Sequence, residues 1–289
     1  MATALPRNNQ LRLEQVLAQW QHWAGAVPER PRLERELGPG LSNFSYLVSC
    51  GDRQWVIRLD GIQPATNGIH RQTEWRALHH AHERGIAPHP RYFNPDIGAL
   101  VCDYLPPDPA PPCSLPDIAE LLQSIHNLPP MRHRLDLRER IVRYEHLCAS
   151  RAPVRHSELA AIKPALRNIT EQCHHDTQPP VLCHNDLLAA NRIYSGGRLW
   201  ALDWEYCAMG SPWFDLAALC CGDELPASQC DELLYLYLGG QPLVSEEAGF
   251  AGYRVLYRYL ELLWHGSLSP ESVDWPAKLA ALVTDINRI

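Results

Sequence analysis

The first part of the chain alternates between helical and extended patterns. Apolar residues recur with helical spacing over residues 11–23, so that one face of a helix there would be apolar. Further on, residues 44–49 and 54–59 contain many β-branched and aromatic residues and flank Gly51-Asp52. Two such runs around a turn that contains glycine predict a β-hairpin.

A second helical pattern follows the hairpin. It covers residues 69–84, and Gly85 stands where helices often end. Two short strand candidates come next, near residues 91–93 and residues 99–103. Residues 1–104 are therefore predicted to form a small, β-rich N-terminal lobe with a leading helix.

A proline-rich stretch follows this lobe. Residues 104–113 read YLPPDPAPPC and contain five prolines in ten residues. Proline has no backbone N–H and fixes φ, so the stretch can be neither a helix nor a central strand. We expect residues 105–113 to be a stiff connector, and residues 114–289 to form a second, larger lobe.

The C-terminal lobe is predicted to be mainly helical. Helical periodicity runs through residues 114–127, 135–150, 157–175, 227–238, 246–265 and 270–287. The exception is a strand–loop–strand insertion, with short strands expected at VLCH and on both sides of Gly196-Gly197. The predicted fold class is α+β, with a β-rich N-terminal lobe and a mainly helical C-terminal lobe.

Composition narrows the possible functions. The chain has 289 residues, 46% of them hydrophobic, which is enough for a real core. Its formal net charge of -7 argues against a nucleic-acid partner, because such proteins are usually basic. No apolar run approaches the length of a membrane span, and the first residues do not resemble a signal peptide. The ten cysteines have no C-x-x-C spacing, so they lack the pattern of a zinc site. Because no signal peptide is recognised, we expect reduced thiols in a cytoplasmic protein, either a monomer or a homodimer.

One short region concentrates residues that carry chemistry. Residues 181–206 read VLCHNDLLAANRIYSGGRLWALDWEY, in which Asn191 follows Asp186 by five residues and Asp203 ends the next predicted hairpin. Magnesium prefers oxygen ligands, and phosphoryl transfer needs mainly positioning and neutralisation of charge. The pattern H-x-D-x-x-x-x-N followed by a strand-borne Asp therefore predicts a phosphoryl-transfer site at which the three side chains converge.

These motifs resemble those of the aminoglycoside phosphotransferase and choline kinase superfamily. The resemblance rests on HNDLLAAN and LDWEY, and it extends over roughly residues 38–220 through GPGLSNFSYLV, WVIRLDG, IHRQTEWRAL, LVCDYLPP and GSPWFDLAAL. The sequences of these motifs are most similar to those of bacterial choline kinases and the related thiamine kinases. The resemblance implies a bilobal protein-kinase-like fold, ATP and Mg²⁺ as cofactors, and transfer of the γ-phosphate to a hydroxyl group. Residues 1–104 would then be the nucleotide-binding lobe, and residues 114–289 the catalytic and substrate-binding lobe.

The resemblance also implies roles for individual residues. Asp186 would be the catalytic base, Asn191 and Asp203 would hold Mg²⁺, and Arg58 would bind phosphates with Glu74 as its ion-pair partner. Further nucleotide contacts would come from Leu41, Ser42, Asn43 and Phe44 over the phosphates, and from backbone near Asp103 and Leu105 at the adenine.

Two residues are expected to support the catalytic loop rather than to react. His184 is interpreted as a structural residue that ties the loop backbone together. Asp215 opens the helix after Pro212 and would brace the loop by hydrogen bonds to backbone near His184.

Choline and thiamine each combine a cationic centre with a primary hydroxyl. A quaternary ammonium donates no hydrogen bonds, so its site would use aromatic faces and carboxylates. Candidate substrate contacts are Glu205, Tyr206, Trp213, Asp223, Tyr257 and Trp264. Two alternatives stay open: Glu205 and Tyr206 are braces beside the metal, and the stripe Tyr253, Tyr257 and Trp264 is packed core.

The predicted function is an ATP-dependent kinase of a small cationic alcohol, with choline first and thiamine second. A pocket with many carboxylates and few aromatics would favour an aminoglycoside or sugar acceptor instead. A nucleotide-binding pseudokinase would lack Asp186, Asn191 or Asp203, and all three are present.

Overall fold

The computed structural model describes most of the chain, in two compact units. The described residues are 7–39, 43–61, 68–109, 114–175, 178–268 and 273–289. Unit 1 contains residues 1–111 and 193–206, and unit 2 contains residues 112–192 and 207–289.

An antiparallel sheet of five strands forms the centre of unit 1. Its strands are β1 (Arg32–Pro39), β2 (Asn43–Cys50), β3 (Arg53–Asp60), β4 (Pro90–Asn94) and β5 (Ala99–Asp103), in the order β1-β2-β3-β5-β4. The predicted hairpin is β2–β3, and Gly51 in its turn has a φ of 58°, which glycine adopts without strain. Strand β1 was not predicted, because its RLERELGP sequence is highly charged and exposed, as is common at the edge of a sheet.

Two helices accompany the sheet. Helix α1 (Arg7–Ala18) buries Leu13, Val16 and Leu17 in one apolar cluster with residues of β2, β3 and β5. The predicted first helix was expected to reach residue 23, but it ends at Ala18 and is followed by a single 3₁₀ turn. Helix α2 (Arg71–Glu83) agrees with the second predicted helix, and it presents Glu74 on its buried face.

A short hairpin from later in the chain belongs to unit 1. Its strands are β7 (Arg192–Ser195) and β8 (Arg198–Ala201). The carboxylate of Asp108 accepts hydrogen bonds from the backbone N–H groups of Gly196 (3.0 Å) and Gly197 (2.7 Å), and Ala201 N donates to Ile86 O (2.8 Å). The sequence-based division placed residues 193–206 in the C-terminal lobe, whereas these long-range bonds group them with residues 1–111 in unit 1. The connector over residues 105–113 stays a prediction.

Unit 2 is mainly helical. Its helices are α3 (Leu115–His126), α4 (Leu137–Arg151), α5 (Pro153–Glu158), α6 (Lys163–His174), α7 (Pro212–Gly222), α8 (Ala227–Leu238), α9 (Val244–Leu268) and α10 (Trp275–Ile286). Helix α9 packs against α4, α6, α7 and α10, and its residues Val255, Leu256, Leu262 and Leu263 are fully buried. Strand β6 (Val181–Cys183) pairs with β9 (Ala208–Gly210) in an antiparallel ladder.

The predicted α+β class is confirmed, with a β-rich N-terminal unit and a helical C-terminal one. The single helix expected over residues 157–175 is instead split, because Pro164 lies in the first turn of α6, where a missing N–H costs nothing. Strand β9 was too short to be recognised. Within the described residues, none of the helices combines the length and the apolarity needed to cross a lipid bilayer.

Candidate active site

The loop that contains the H-x-D-x-x-x-x-N motif runs from β6 to β7, and its beginning is bonded to α7. Asp215, in the first turn of α7, accepts hydrogen bonds from the backbone N–H groups of His184 and Asn185, both at 2.7 Å. Nε2 of His126 lies 3.1 Å from the same carboxylate, and Asp215 is fully buried. These are the backbone contacts that the sequence led us to expect of Asp215.

Asp215 carries a negative charge in this buried position. Burial by itself would raise the pKa of its carboxyl, but the hydrogen bond with His126 and the backbone N–H of His184 hold that pKa below its usual range. The other ring nitrogen of His126 lies 2.8 Å from the hydroxyl of Tyr237. A buried charge with this many partners fixes the start of the loop, since each partner would be costly to leave unpaired.

The two motif residues that follow are bonded to each other. The side-chain amide of Asn191 donates to Oδ2 of Asp186 at 2.8 Å and to the backbone oxygen of Asp186 at 2.8 Å. Both bonds use the amide nitrogen, so they leave the amide oxygen of Asn191 for other ligands. Asn185, directly before Asp186, has a φ of 62°, a conformation that asparagine tolerates better than most residues and that occurs often at functional sites.

Unit 1 contains the predicted ion pair. Nη1 of Arg58, on β3, lies 2.6 Å from Oε1 of Glu74 on α2 and 2.6 Å from Oδ1 of Asp203. The Arg58 and Glu74 side chains are 9% and 2% exposed. Although burial would raise it, the pKa of Glu74 is lowered by the charges of Arg58 and Arg71. Three residues that the sequence assigned to nucleotide and metal are therefore in direct contact.

Arg71 is a second cation in this cluster, and sequence reasoning missed it. Its guanidinium lies 2.7 Å from Glu74, 3.1 Å from Glu205 and 2.6 Å from Asp60. The available signal was that Arg71 precedes Glu74 by three residues on one helix, a spacing at which oppositely charged side chains meet.

Carboxylates outnumber cations here. Arg58 and Arg71 face Glu74, Asp203, Glu205 and Asp60. The pKa of Glu205 is raised to about 7, first by burial and then by the charge of Asp203. A local excess of negative charge with oxygen donors fits a divalent cation such as Mg²⁺.

The structure describes Asp203 and two of the four candidates for the loop over the phosphates, Asn43 and Phe44. Asp203 has a φ of 54°, which is uncommon for a residue with a side chain. The amide of Asn43 donates to Oε2 of Glu205 at 2.9 Å, and Phe44 is half-buried on β2. Leu41 and Ser42 lie outside the described residues.

The adenine candidates lie where β5 ends. The Asp103 carboxylate forms two bonds with Arg91, at 2.7 and 2.8 Å. The backbone N–H of Asp103 donates to His89 O and that of Tyr104 to Gln54 O, so both donors are used within the unit. Leu105 follows directly and is half-buried.

The substrate candidates do not form one group. Trp213 is 3% exposed, 6.3 Å from the ring of Tyr237, which is a packing position. Trp264 packs edge-on against His265 at 4.8 Å. Tyr206 is half-buried in unit 1.

Tyr257 lies near the loop of the H-x-D-x-x-x-x-N motif, because its hydroxyl and the side chain of Leu188 both approach Gly222. Its ring is 6.0 Å from that of Phe214. Burial raises the pKa of Tyr257, and the negative charges of Glu261 and Asp186 add to this effect. Tyr253, four residues earlier, is buried and donates to Cys173 O at 3.0 Å. The aromatic stripe is therefore mixed, with Tyr253 in the core and Tyr257 beside the loop.

Asp223 has a different environment from the one expected of a substrate contact. Its Oδ1 accepts from the backbone N–H of Ala189 at 2.8 Å, and its Oδ2 lies 2.5 Å from Nη2 of Arg192. Both oxygens are thus engaged by the protein itself.

Comparisons with known proteins agree with this geometry. The crystal structure of the choline kinase LicA from Streptococcus pneumoniae has a TM-score of 0.74 at 22% identity, and covers 96% of this chain and 99% of its own. LicA in complex with AMP gives a TM-score of 0.74 at 23% identity, covering 95% of this chain and 98% of its own. The structure of the gentamicin–APH(2")-IIa complex gives a TM-score of 0.66 at 15% identity, covering 99% and 97%.

The curated relative that matches is the LicA protein of Haemophilus influenzae. It is 38% identical over 55 residues, which span 19% of this chain and 21% of LicA. The match to a family model covers more of the chain: the model of the phosphotransferase enzyme family (APH) matches residues 34–253. The chain therefore belongs to the phosphotransferase enzyme family, which confirms the family resemblance inferred from its motifs.

Proposed function

We propose that this phosphotransferase transfers the γ-phosphate of ATP to the hydroxyl of a small cationic alcohol, with choline as the first candidate acceptor. The observation that carries the proposal is the Asp186–Asn191 pair, hydrogen-bonded at 2.8 Å in a loop whose start Asp215 stabilises. A carboxylate and an amide in this order are the parts that phosphoryl transfer to an alcohol requires.

Asp186 is the proposed catalytic base. Its carboxylate accepts the proton of the acceptor hydroxyl while the hydroxyl oxygen attacks the γ-phosphorus. The bond from that phosphorus to the oxygen bridging the β- and γ-phosphates breaks, and ADP leaves. The bond from Asn191 to Oδ2 holds the Asp186 carboxylate in one orientation, which general base catalysis needs.

Arg58 is the proposed ligand of the nucleotide phosphates. It is 7% exposed, and its Nε is buried without a hydrogen-bond partner among the described residues. A buried guanidinium with an unused donor fits an anion, and Glu74 orients it. Asn43 and Phe44, with Leu41 and Ser42, are proposed beside the phosphates, and backbone near Asp103 and Leu105 beside the adenine. The AMP bound in LicA supports an adenine nucleotide.

Asn191 and Asp203 are the proposed holders of Mg²⁺. The amide oxygen and the carboxylate are ligands that this ion prefers, and the excess of carboxylates around Asp203 and Glu205 fits a cation. When bound, the ion neutralises phosphate charge. The convergence of Asp186, Asn191 and Asp203 on one ion and phosphate stays a prediction.

Choline is placed first among acceptors because of two observations. LicA, which is described as a choline kinase, has a similar fold over almost the whole chain. The hydroxyl of Tyr257 and the side chain of Leu188 both approach Gly222, so Tyr257 offers an aromatic ring near the loop for an ammonium group. Tyr206, Glu205 and Trp264 are further proposed contacts. The nine described cysteines are all buried, and a cytoplasmic location stays a prediction from the sequence.

Two other acceptors remain in the proposal. Thiamine shares the cationic centre and primary hydroxyl, and the similarity to a gentamicin-bound phosphotransferase favours an aminoglycoside as the second class. A pseudokinase is the weaker reading, because the bonded Asp186–Asn191 pair is intact.

The test measures ADP release with Mg-ATP and choline, thiamine, ethanolamine or kanamycin. We expect turnover with choline above the rate without acceptor, and a loss of about 10²–10⁴-fold for Asp186→Ala with the thermal midpoint kept. Asp136→Asn, at an exposed helix cap where Asn serves as well as Asp, is the matched control. Turnover retained in Asp186→Ala removes the base assignment. Turnover with kanamycin alone moves the acceptor to the second class.

A further inference from the structure

The second half of the catalytic loop, residues 187–192, is bonded to the end of α7. The carboxylate of Asp223, the residue after α7, accepts from Ala189 N at 2.8 Å and lies 2.5 Å from Nη2 of Arg192. Nη1 of Arg192 donates to Leu187 O at 2.6 Å. Asp223 and Arg192 together, the Asp223–Arg192 pair, therefore bond to the rest of the loop at two places, Leu187 and Ala189.

This pair is not a surface ion pair. The Arg192 and Asp223 side chains are 4% and 10% exposed. Buried partners of opposite charge depend on each other, because removal of one leaves the other as an uncompensated charge. Since Arg192 directly follows Asn191 in the chain, any shift of Arg192 also shifts the residue that bonds to Asp186.

The approach of α7 to the loop is unusually close. A Cβ on Gly222 would lie 2.3 Å from Cδ2 of Leu188 and 2.9 Å from Oη of Tyr257. Only glycine allows the end of the helix to reach the loop at this distance. Gly222 and Asp223 thus act together, one by leaving space and the other by binding.

One helix therefore holds both halves of the loop. Asp215 binds the backbone of His184 and Asn185, and Asp223, eight residues later, binds Ala189 and Arg192. Eight residues of helix span about 12 Å, so the two carboxylates reach separate parts of the loop.

We propose that Asp223 and Arg192 are positioning residues, which fix Asn191 and through it the Asp186 carboxylate. The inference rests on the proposed phosphoryl transfer, and it assigns Asp223 to the loop instead of to the acceptor. A base that is displaced by about 1 Å loses about 10²-fold in rate, even when the mutated residue touches no substrate.

The test compares Asp223→Asn with wild type. In this variant the new amide nitrogen faces either the guanidinium of Arg192 or the backbone N–H of Ala189, so donor meets donor in either orientation, and the charge that pairs with Arg192 is lost. We expect kcat to fall by about 10²-fold while the KM of the acceptor stays within about two-fold. We also expect faster amide hydrogen exchange across residues 187–192 than in wild type.

Asp285→Asn is the matched control. Asp285 is 7% exposed and lies 2.7 Å from Nε of Arg258, so it is also a buried carboxylate paired with an arginine, on α10 and away from the loop. For Asp285→Asn we expect a loss of thermal stability similar to that of Asp223→Asn, with the kcat and the amide hydrogen exchange of residues 187–192 as in wild type. The double variant Asp223→Asn/Arg192→Met, which removes both charges, should recover part of the exchange protection.

Three outcomes overturn the inference. One is a raised acceptor KM with kcat kept in Asp223→Asn, which would make Asp223 a substrate contact. Another is loss of stability with kcat and loop exchange as in the control, which would make the pair merely structural. The third is amide hydrogen exchange across residues 187–192 that is the same in Asp223→Asn as in wild type, which would show that the pair does not position the loop. If wild type turns over no acceptor, the proposed function fails, and the exchange rates of the two proteins still test the positioning of the loop.

Discussion

Replacing Asp215 with Asn should destabilise unit 2 strongly, although the two side chains have the same shape. One carboxylate oxygen becomes an NH₂ group, which then faces the backbone N–H of His184 or Asn185 at a distance of about 2.7 Å. A buried donor without an acceptor costs about 1–3 kcal/mol. The remaining bonds also lose their charged partner, and hydrogen bonds to charged groups contribute about 1 kcal/mol more than neutral ones.

Together, these two contributions should lower the free energy of unfolding of Asp215→Asn by about 3 kcal/mol. For a protein of this size each kcal/mol lowers the melting temperature by about 2–4 °C, so we expect a decrease of about 6–12 °C. Thermal and urea unfolding followed by circular dichroism measure it. Asp136→Asn, at an exposed cap in the same unit, should change the unfolding free energy by less than about 0.5 kcal/mol.

The pH dependence gives a second measurement of the same interaction. The folded-state pKa of Asp215 lies below its ordinary value of 3.8, so its charge stabilises the fold above that pH, and this contribution is lost as the pH falls through the lower folded-state value. The stability difference between wild type and Asp215→Asn should therefore shrink below about pH 4. A difference under about 1 kcal/mol at pH 7, or one that stays constant down to pH 2, would refute the account of Asp215 as a charged brace.

Three further outcomes follow from the site. Gly222→Ala should cost about 1–3 kcal/mol of stability through overpacking, which lowers the melting temperature, and it should also lower kcat. Leu188→Ala in the same chain should relieve part of the stability loss, and a double-mutant cycle measures this coupling. Tyr257→Phe should keep the KM of a cationic acceptor within about two-fold, whereas Tyr257→Ala should raise it by about 2–30-fold, as read from initial rates; equal effects of both variants would contradict a contact with the ring. Glu74→Gln should raise the KM for ATP more than that for the acceptor, because Arg58 then loses its oriented partner; an effect on the acceptor alone would be the contrary result.

Much of the site could be predicted because its signals are local. The spacing of Asp186 and Asn191 lies within one loop, and a single amide bonds to the carboxylate five residues earlier. The ion pair of Arg58 with Glu74 was implied by the family resemblance, which the segments WVIRLDG and IHRQTEWRAL help to carry. The hairpin and most helices were also recognisable, since hydrophobic periodicity and glycine turns depend on neighbouring residues.

The partners that decide the roles of other residues are far away in the sequence. Asp203 is 145 residues from Arg58, and Asp223 is 31 residues from Arg192. Arg71 joined the cluster through Glu205 and Asp60, neither of which its own surroundings in the sequence indicate. The residues of the hairpin 193–206 follow a loop of unit 2 in the chain, and only their bonds to Asp108 and Ile86 assign them to unit 1.

By itself, the sequence determined the α+β class and the phosphotransferase family, and it indicated candidate residues for the chemistry, because such a motif is a short pattern whose spacing can be read without the surrounding fold. Only the tertiary structure decided which carboxylates bind the protein and which remain for ligands. Asp215 and Asp223 are used for backbone and arginine, and Trp213 for packing. The physical reason is that a charge or an aromatic ring has no fixed role in the sequence, and it acquires one from the buried partners that long-range folding brings to it.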